Sequence, residues 1–386
     1  MHRRSNAGGL SPRAAKSVWL LFLALGGCAA PEDDPGPAQQ GNATRFLIEP
    51  GDHEYARVLE SRAFRFPEDH AAHDEYRNEW WYFTGNLRDA GGRHFGFELT
   101  FFRYAMSPEP ISRGSAWGAN QAWMAHLAVT DTDGREFMAA ERFSRQALGL
   151  AGSQAEPFRV WLEDWAATGD GPGFLPLHLS AGTDRAGIEL TLSGTKPMVF
   201  HGENGLDPKG PEPGNASYYY SLTRLEAAGT VRVADEEFAV NGTAWMDREW
   251  GTSALSPNLA GWDWFALQLA DNREVMYYRL RTEDGETSPF SGGSLLLADG
   301  TRIALSPQDV ILTPLNYWTS DTSGARYPVA WQLDLPGQEM TLQVRPYLQK
   351  QELNLTVRYW EGAVNVTGSQ RETAITGDGY VELTGY

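Results

Sequence analysis

Trp80-Trp81-Tyr82-Phe83-Thr84-Gly85-Asn86-Leu87, the turn Asp89-Ala90-Gly91-Gly92, and the run from Arg93 to Tyr104 that holds Phe95-Gly96-Phe97-Glu98-Leu99-Thr100-Phe101 decide the fold. Aromatic side chains suit a pleated, half-buried surface. Strand alternation sets Phe95, Phe97, Leu99 and Phe101 on one face and Glu98 on the other. A glycine-rich turn between two such runs predicts a β-hairpin. Glu98 then points either to solvent or into a barrel lumen, and it is a candidate ligand-binding residue.

The same device recurs along the chain. Ala122–Thr130 and Phe137–Phe143 flank Asp131-Thr132-Asp133-Gly134, while Asp263–Leu269 and Glu274–Thr282 flank Asp271-Asn272. Phe158–Trp165, Ser217–Leu225, Thr230–Ala234, Glu237–Trp245, Leu353–Trp360 and Gly362–Ser369 are among the further strand candidates. No long run of helical period stands out beyond residue 46, so an all-β sandwich or barrel is expected. Trp80–Leu87 can also be laid against Trp262-Asp263-Trp264-Phe265-Ala266-Leu267-Gln268-Leu269, offset by 182 residues. Aromatic positions, the amide and the closing leucine agree. Coincidence among aromatic-rich strands is one reading and an internal repeat is the other. A chain of 386 residues exceeds what one core usually fills. The repeat reading therefore predicts two similar β-domains in tandem, 46–250 and 251–386, meeting where Gly251 to Ala260 is rich in small and turn residues.

The first 45 residues read as targeting rather than fold. Arg3, Arg4, Arg13 and Lys16 precede an apolar run from Val18 to Leu25, far short of the roughly 20 residues that a membrane-spanning helix needs. Leu25-Gly26-Gly27-Cys28 follows and resembles a bacterial lipobox, and Cys28 is the only cysteine in the chain. The expectation is a lipoprotein signal peptide over 1–27, a lipidated Cys28 and a proline-bearing tether over 28–45; ordinary cleavage beyond the cysteine is the alternative. Ala29 stands where an aspartate would signal inner-membrane retention, so an exported outer-membrane lipoprotein is expected. The sequons at Asn42, Asn215, Asn241, Asn354 and Asn365 matter only if the lipobox reading fails.

The formal charge is −18, and the leader contributes no acid, so the body is more acidic still. Such a body repels nucleic acid and anionic headgroups, and neither is expected as a partner of the folded part. No Gly-x-Ser-x-Gly elbow, phosphate loop, His-Glu-x-x-His pair or strand-following Gly-x-Gly-x-x-Gly occurs, and the cysteine count removes a thiol nucleophile. His70 and His73, with Glu75 and Glu79 nearby, hold donors that could gather a cation. They read instead as a solvated approach to the first strand, and no metal is expected.

Two further segments set polar groups among dense aromatics. In Trp123-Met124-Ala125-His126-Leu127-Ala128-Val129, His126 is flanked by apolar residues on both faces, as a satisfied core histidine or as a lumen-facing functional one. In Gly242-Thr243-Ala244-Trp245-Met246-Asp247-Arg248-Glu249-Trp250-Gly251, alternation puts Trp245, Asp247 and Glu249 on one face and Arg248 opposite. Two carboxyls near tryptophans can do acid–base work if burial keeps one protonated. The other reading is an Asp–Arg–Glu ion-pair knot sealing the domain junction.

The same segments carry a family resemblance. Asn78–Leu87, Met124-Ala125-His126, Gly214–Ser221, Trp245–Gly251, Tyr359–Val364 and Gly379–Leu383 look like the AttH-like secreted proteins, a group related to the carotenoid 1,2-hydratases. The matching stretches span about residues 65 to 386. The resemblance implies two lipocalin-like β-barrel domains and cofactor-free handling of an apolar ligand; many such proteins are labelled only as secreted hydrolases. It also implies a catalytic aspartate near the junction segment, and Asp247 is the matching position. Here Arg248-Glu249 follows it in place of a histidine-containing run.

These readings together predict a cofactor-independent enzyme of hydratase or isomerase type acting on a lipophilic, isoprenoid-like substrate. Asp247 or Glu249 gives a proton to a C=C bond, Trp81, Trp245 and Trp262 shelter the carbocation, and His126 or one of Tyr218, Tyr219 and Tyr220 orients the water. The rival is a non-catalytic lipocalin-like carrier of a lipid or hydrophobic small molecule, with a secreted hydrolase third. The pocket lies either inside one barrel or between two.

Overall fold

A computed structural model describes residues 55–386, apart from 110–117, 172, 195, 253, 254 and 257. Cys28, the leader, the tether and Asn42 lie outside the described residues. Among the described residues, the first sheet holds β1 (Asn78–Asp89), β2 (His94–Ala105), β3 (Gln121–Asp131), β4 (Glu136–Arg145), β5 (Ala151–Gln154), β6 (Arg159–Leu162) and β7 (Trp165–Gly169). It continues with β8 (Leu177–Gly182), β9 (Ala186–Ser193), the short β10 (Val199–Phe200) and β11 (Leu206–Pro208), β12 (Ala216–Val233) and β13 (Glu236–Gly251). The second sheet opens with β14 (Leu259–Leu269), β15 (Glu274–Thr282), β16 (Gly292–Leu296), β17 (Arg302–Leu305) and β18 (Ile311–Thr319). It closes with β19 (Arg326–Leu335), β20 (Met340–Pro346), β21 (Glu352–Asn354), β22 (Arg358–Gln370) and β23 (Thr373–Thr384).

The first sheet runs β4-β3-β2-β1-β13-β12-β9-β8-β7-β6-β5, and it curls until its ends share one core. Trp81, Phe97 and Phe101 join the same apolar cluster as Leu162, Trp165 and Leu179. The second runs β17-β16-β15-β14-β23-β22-β20-β19-β18 around its own core of Phe265, Trp331 and Trp360. In each sheet the opening strand lies between the second strand and the last. The 182-residue offset therefore joins topologically equivalent strands: Phe83 and Phe265, and Leu87 and Leu269, enter the two cores at matching positions.

Several strand boundaries differ from the sequence reading. Phe158–Trp165 is not one strand, because Glu163 turns the chain in the left-handed region (φ 58) between β6 and β7. Ser217–Leu225 and Thr230–Val233 lie in one long strand, β12, whose bulge between Leu222 and Leu225 accommodates the curl of the sheet, and Ala234 turns the chain after it (φ 50). Leu353–Trp360 divides between β21 and β22, and Gly362–Ser369 joins β22. The edge strand β18 went unread because Pro314 interrupts it, which only an edge tolerates.

The two curled sheets pack back to back through the face of β1 that turns away from the first core. Asn86 Nδ2 donates to Gly379 O at 3.0 Å, and its repeat counterpart Gln268 donates from Nε2 to Thr223 O at 2.8 Å and Ala244 O at 2.9 Å. Tyr82 and Trp264, also counterparts, meet edge to face at 5.2 Å. The approach is tight at Gly96, where a Cβ would lie 2.6 Å from Ala363 Cβ and 3.0 Å from the Tyr380 hydroxyl. Both neighbours are held by strands, so Gly96→Ala should cost about 1–3 kcal/mol through overpacking. Gly337→Ala, with open space around its Cβ, should be near neutral by comparison. Urea unfolding of the two variants checks this; equal midpoints would show that the sheets can move apart freely.

Candidate functional site

Back-to-back packing leaves a cavity of about 330 Å³ between the sheets rather than inside either barrel. Trp80, Tyr82 and Phe102 wall it from the first sheet and Trp262, Trp264 and Leu280 from the second. Asp247 and Glu249 reach it from β13, Tyr219 from β12, Lys209 from the loop after β11, and Glu382 from β23. Strand alternation explains the selection. Asp247 and Glu249 share the cavity face of β13, while Met246 enters the first core and Arg248 turns away.

Asp247 accepts hydrogen bonds from the Tyr219 and Ser221 hydroxyls and, at 2.6 Å, from Trp245 Nε1. Burial pushes its carboxyl up to about 7, against the pull of these three donors. Burial also raises Glu249, which is opposed by the Lys209 ammonium. Lys209 Nζ lies 2.6 Å from Asp207 Oδ2 and 3.4 Å from Glu249 Oε1, and 4.1 Å from the centre of the Tyr278 ring. Burial works against its charge, but the two carboxylates outweigh this and hold it well above the ordinary lysine value. Burial keeps Tyr219 protonated far into alkali, helped by the charges of Asp247 and Glu249.

The ion-pair knot is real but differently composed. Arg248 pairs with Glu79, as does Arg103, and its guanidinium lies 4.0 Å over the Trp81 ring. Burial alone would raise Glu79, yet the two guanidinium groups hold it well below the ordinary carboxyl range. His70 and His73 belong to the same buried base and are not solvated: His70 Nδ1 is 2.7 Å from the Tyr220 hydroxyl, and His73 stacks on Trp250 at 4.0 Å.

Several sequence expectations need correction. Trp81 lies in the first core with its Nε1 donating to His70 O at 2.8 Å, so it offers no face to the cavity. Tyr218 and Tyr220 flank Tyr219 on the opposite face of β12 and pack on Trp250; only Tyr219 lines the cavity. Trp245 acts through its N–H on Asp247 rather than as a wall. Glu98 meets neither solvent nor lumen: it is buried against the second sheet, bonded by Thr100 Oγ1, and burial pushes it well above the carboxyl range. His126 is also buried there, 2.7 Å from the Tyr359 hydroxyl, and burial pulls it down to about 3, so it stays neutral. Tyr359 lines the cavity in its place. Trp262 does line it, as expected, and its Nε1 donates to Glu382 Oε1 at 2.8 Å. Sequence reasoning missed Lys209, Glu382, Trp80 and Trp264. The repeat alignment pairs Trp80 with Trp262 and Tyr82 with Trp264, so it was the available signal for the two tryptophans.

An AttH-like family model matches residues 57–386. The chain belongs to the AttH-like family. Two curated relatives of this AttH-like protein are the kievitone hydratase of Fusarium solani subsp. phaseoli, 22% identical over 210 residues, and the dehydratase asqC of Emericella nidulans, 23% identical over 207 residues. Those matches take in 53% and 51% of this chain but only 58% and 57% of the relatives, a little more than half of their length. Among solved structures, an AttH-type protein of Nitrosomonas europaea is similar, with 33% identity, 86% of this chain and 99% of that one covered, and a TM-score of 0.76. Kievitone hydratase from Nectria haematococca shares the fold at 15% identity, with 88% and 98% covered and a TM-score of 0.65.

Proposed function

We propose that this AttH-like protein is a cofactor-independent hydratase or dehydratase acting on a lipophilic, isoprenoid-like small molecule, and that it works tethered to the outer membrane through an acylated Cys28. The observation that carries the catalytic reading is Asp247: a carboxyl held near neutrality by burial, facing an aromatic cavity. The names of the two relatives, a hydratase and a dehydratase, describe the two directions of one class of reaction, addition and removal of water.

In the hydration direction Asp247 transfers its proton to one carbon of a C=C bond, whose π pair forms the new C–H bond. The carbocation left on the other carbon lies among the faces of Trp80, Trp262 and Trp264, which attract positive charge. A water held by the Tyr219 or Tyr359 hydroxyl adds its oxygen there and loses a proton, so the net change is addition of H2O. Dehydration runs the same steps backward.

The working form for hydration is the protonated one. As pH rises through about 7, Asp247 ionises and the rate should fall by about tenfold per unit above it. Incubating the body from residue 46 with prenylated phenols and acyclic isoprenoids in heavy-oxygen water tests the proposal. Label in an alcohol product, with that alkaline limb, supports it. Tight binding of the same compounds without label at any pH leaves a carrier in its place.

A further inference from the structure

The two carboxyls at Asp247 and Glu382 occupy the same place in the two repeats. In the first sheet Asp247 on β13 pairs with Tyr82 on β1, and in the second Glu382 on β23 pairs with Trp264 on β14. Tyr82 and Trp264 are counterparts at the 182-residue offset. Back-to-back packing therefore brings one closing-strand carboxyl from each repeat to a single cavity, from opposite walls. Each carboxyl also accepts an indole N–H, from Trp245 at 2.6 Å and from Trp262 at 2.8 Å.

From this geometry we infer that Glu382 is a second catalytic residue, the counterpart of Asp247: one carboxyl gives the proton to carbon while the other takes the proton lost by the adding water. The inference rests on the hydratase/dehydratase reading. After one hydration the proton has moved from one carboxyl to the other with H2O added to the substrate, and the pair resets by exchange with solvent. Dehydration moves it back. The two other carboxyls of the cavity lining are committed elsewhere, since Glu249 is tied to Lys209 and Ser217 and Glu79 to Arg103 and Arg248. Glu98 and Glu361 lie behind the wall rather than on it, Glu361 being bonded by the Tyr82 hydroxyl at 2.7 Å.

The electrostatics fit a shared proton. Burial pushes Glu382 up to about 8, the charges of Asp247 and Glu249 add to the rise, and the Trp262 N–H opposes it. Asp247 stands at about 7. Nearly matched proton affinities let transfer run either way, and like-charge repulsion disfavours the doubly ionised pair.

Two measurements on the body from residue 46 test the pair. Infrared titration of the carboxyl C=O stretch should show Glu382 titrating at lower pH in Asp247→Asn than in the wild type, because a like charge has been removed. On a prenylated phenol, Glu382→Gln should lower kcat by at least about 100-fold with KM nearly unchanged, while the protein stays folded with a Tm no lower than that of the wild type. Unshifted titration of Glu382 in Asp247→Asn would overturn the pair even without a substrate in hand. Full kcat in Glu382→Gln alongside a dead Asp247→Asn would overturn the role of Glu382 and leave the hydratase reading standing. Turnover surviving in Asp247→Asn would overturn Asp247 as the acid and the pair with it, whereas absence of turnover in the wild type sinks the hydratase reading itself.

Discussion

Asp247→Asn should reduce water addition by about 100- to 10,000-fold while leaving the protein folded and, above neutral pH, more stable than the wild type. The amide is nearly isosteric with the carboxyl, so its oxygen still accepts from Ser221 and Trp245 Nε1, while its NH2 can donate to the Tyr219 hydroxyl. What it lacks is a proton to transfer. The stability sign follows from the direction of the shift. The folded carboxyl sits at about 7 against an ordinary 3.8, so the folded state holds the proton more tightly than the unfolded chain. That contribution is fully present below the ordinary value and is lost as pH rises through about 7. At pH 9 the folded wild type must keep an ionised carboxylate in a buried site, and the variant does not. Loss of kcat with a Tm equal to the wild type near pH 4, close to the ordinary value, and higher at pH 9 is the signature of a group retained for chemistry at some expense of stability. A variant that unfolds at both pH values would assign Asp247 to structure.

Local pattern made much of the fold legible. The hairpins around Gly91-Gly92 and Asp271-Asn272 are where their turn residues put them, and the alternation in Trp245–Trp250 correctly separates Asp247 and Glu249 from Arg248. The limit is that a period of two distinguishes two faces without saying what covers each. Glu98 looked like a solvent or lumen residue because nothing within fifty residues of it could cover that face; the cover is β22 and β23, more than 250 residues later. The same ambiguity put Trp81, Tyr218 and Tyr220 in the site when their neighbours Trp80 and Tyr219 line it. Lys209 follows the three-residue strand β11 in a loop with no period, and its role depends on burial beside Asp207 and Glu249, which no spacing rule encodes. Arg248 was read with its sequence neighbours, whereas a strand directs adjacent side chains to opposite faces and gave it Glu79 instead.

Arg248→Met is the change expected to harm stability most, by about 3–5 kcal/mol, because it leaves a buried carboxylate short of a cation. Arg248 and Glu79 are both fully buried. The guanidinium bonds Glu79 and Ala71 O, reaches Glu249 O at 3.1 Å, and covers the Trp81 ring. Methionine restores part of the volume and none of these bonds, and Arg103 is then the one guanidinium left on Glu79, beside the His73 backbone N–H that donates to it at 3.0 Å. The pH dependence separates charge from packing. Glu79 is held well below its ordinary 4.5 when folded, so its contribution is present above that value and is lost as pH falls below it. The deficit of Arg248→Met measured by urea unfolding should therefore be largest at neutral pH and shrink towards acid. A deficit below about 1 kcal/mol, or one independent of pH, would mean that the pair is an ordinary packed contact. The contrast with the adjacent position is the sharper test: Asp247→Asn is expected to be stable and inactive, Arg248→Met unstable but active wherever it remains folded. Successive residues of one strand face a reaction cavity on one side and a buried ion pair on the other, and only that division predicts opposite phenotypes one residue apart.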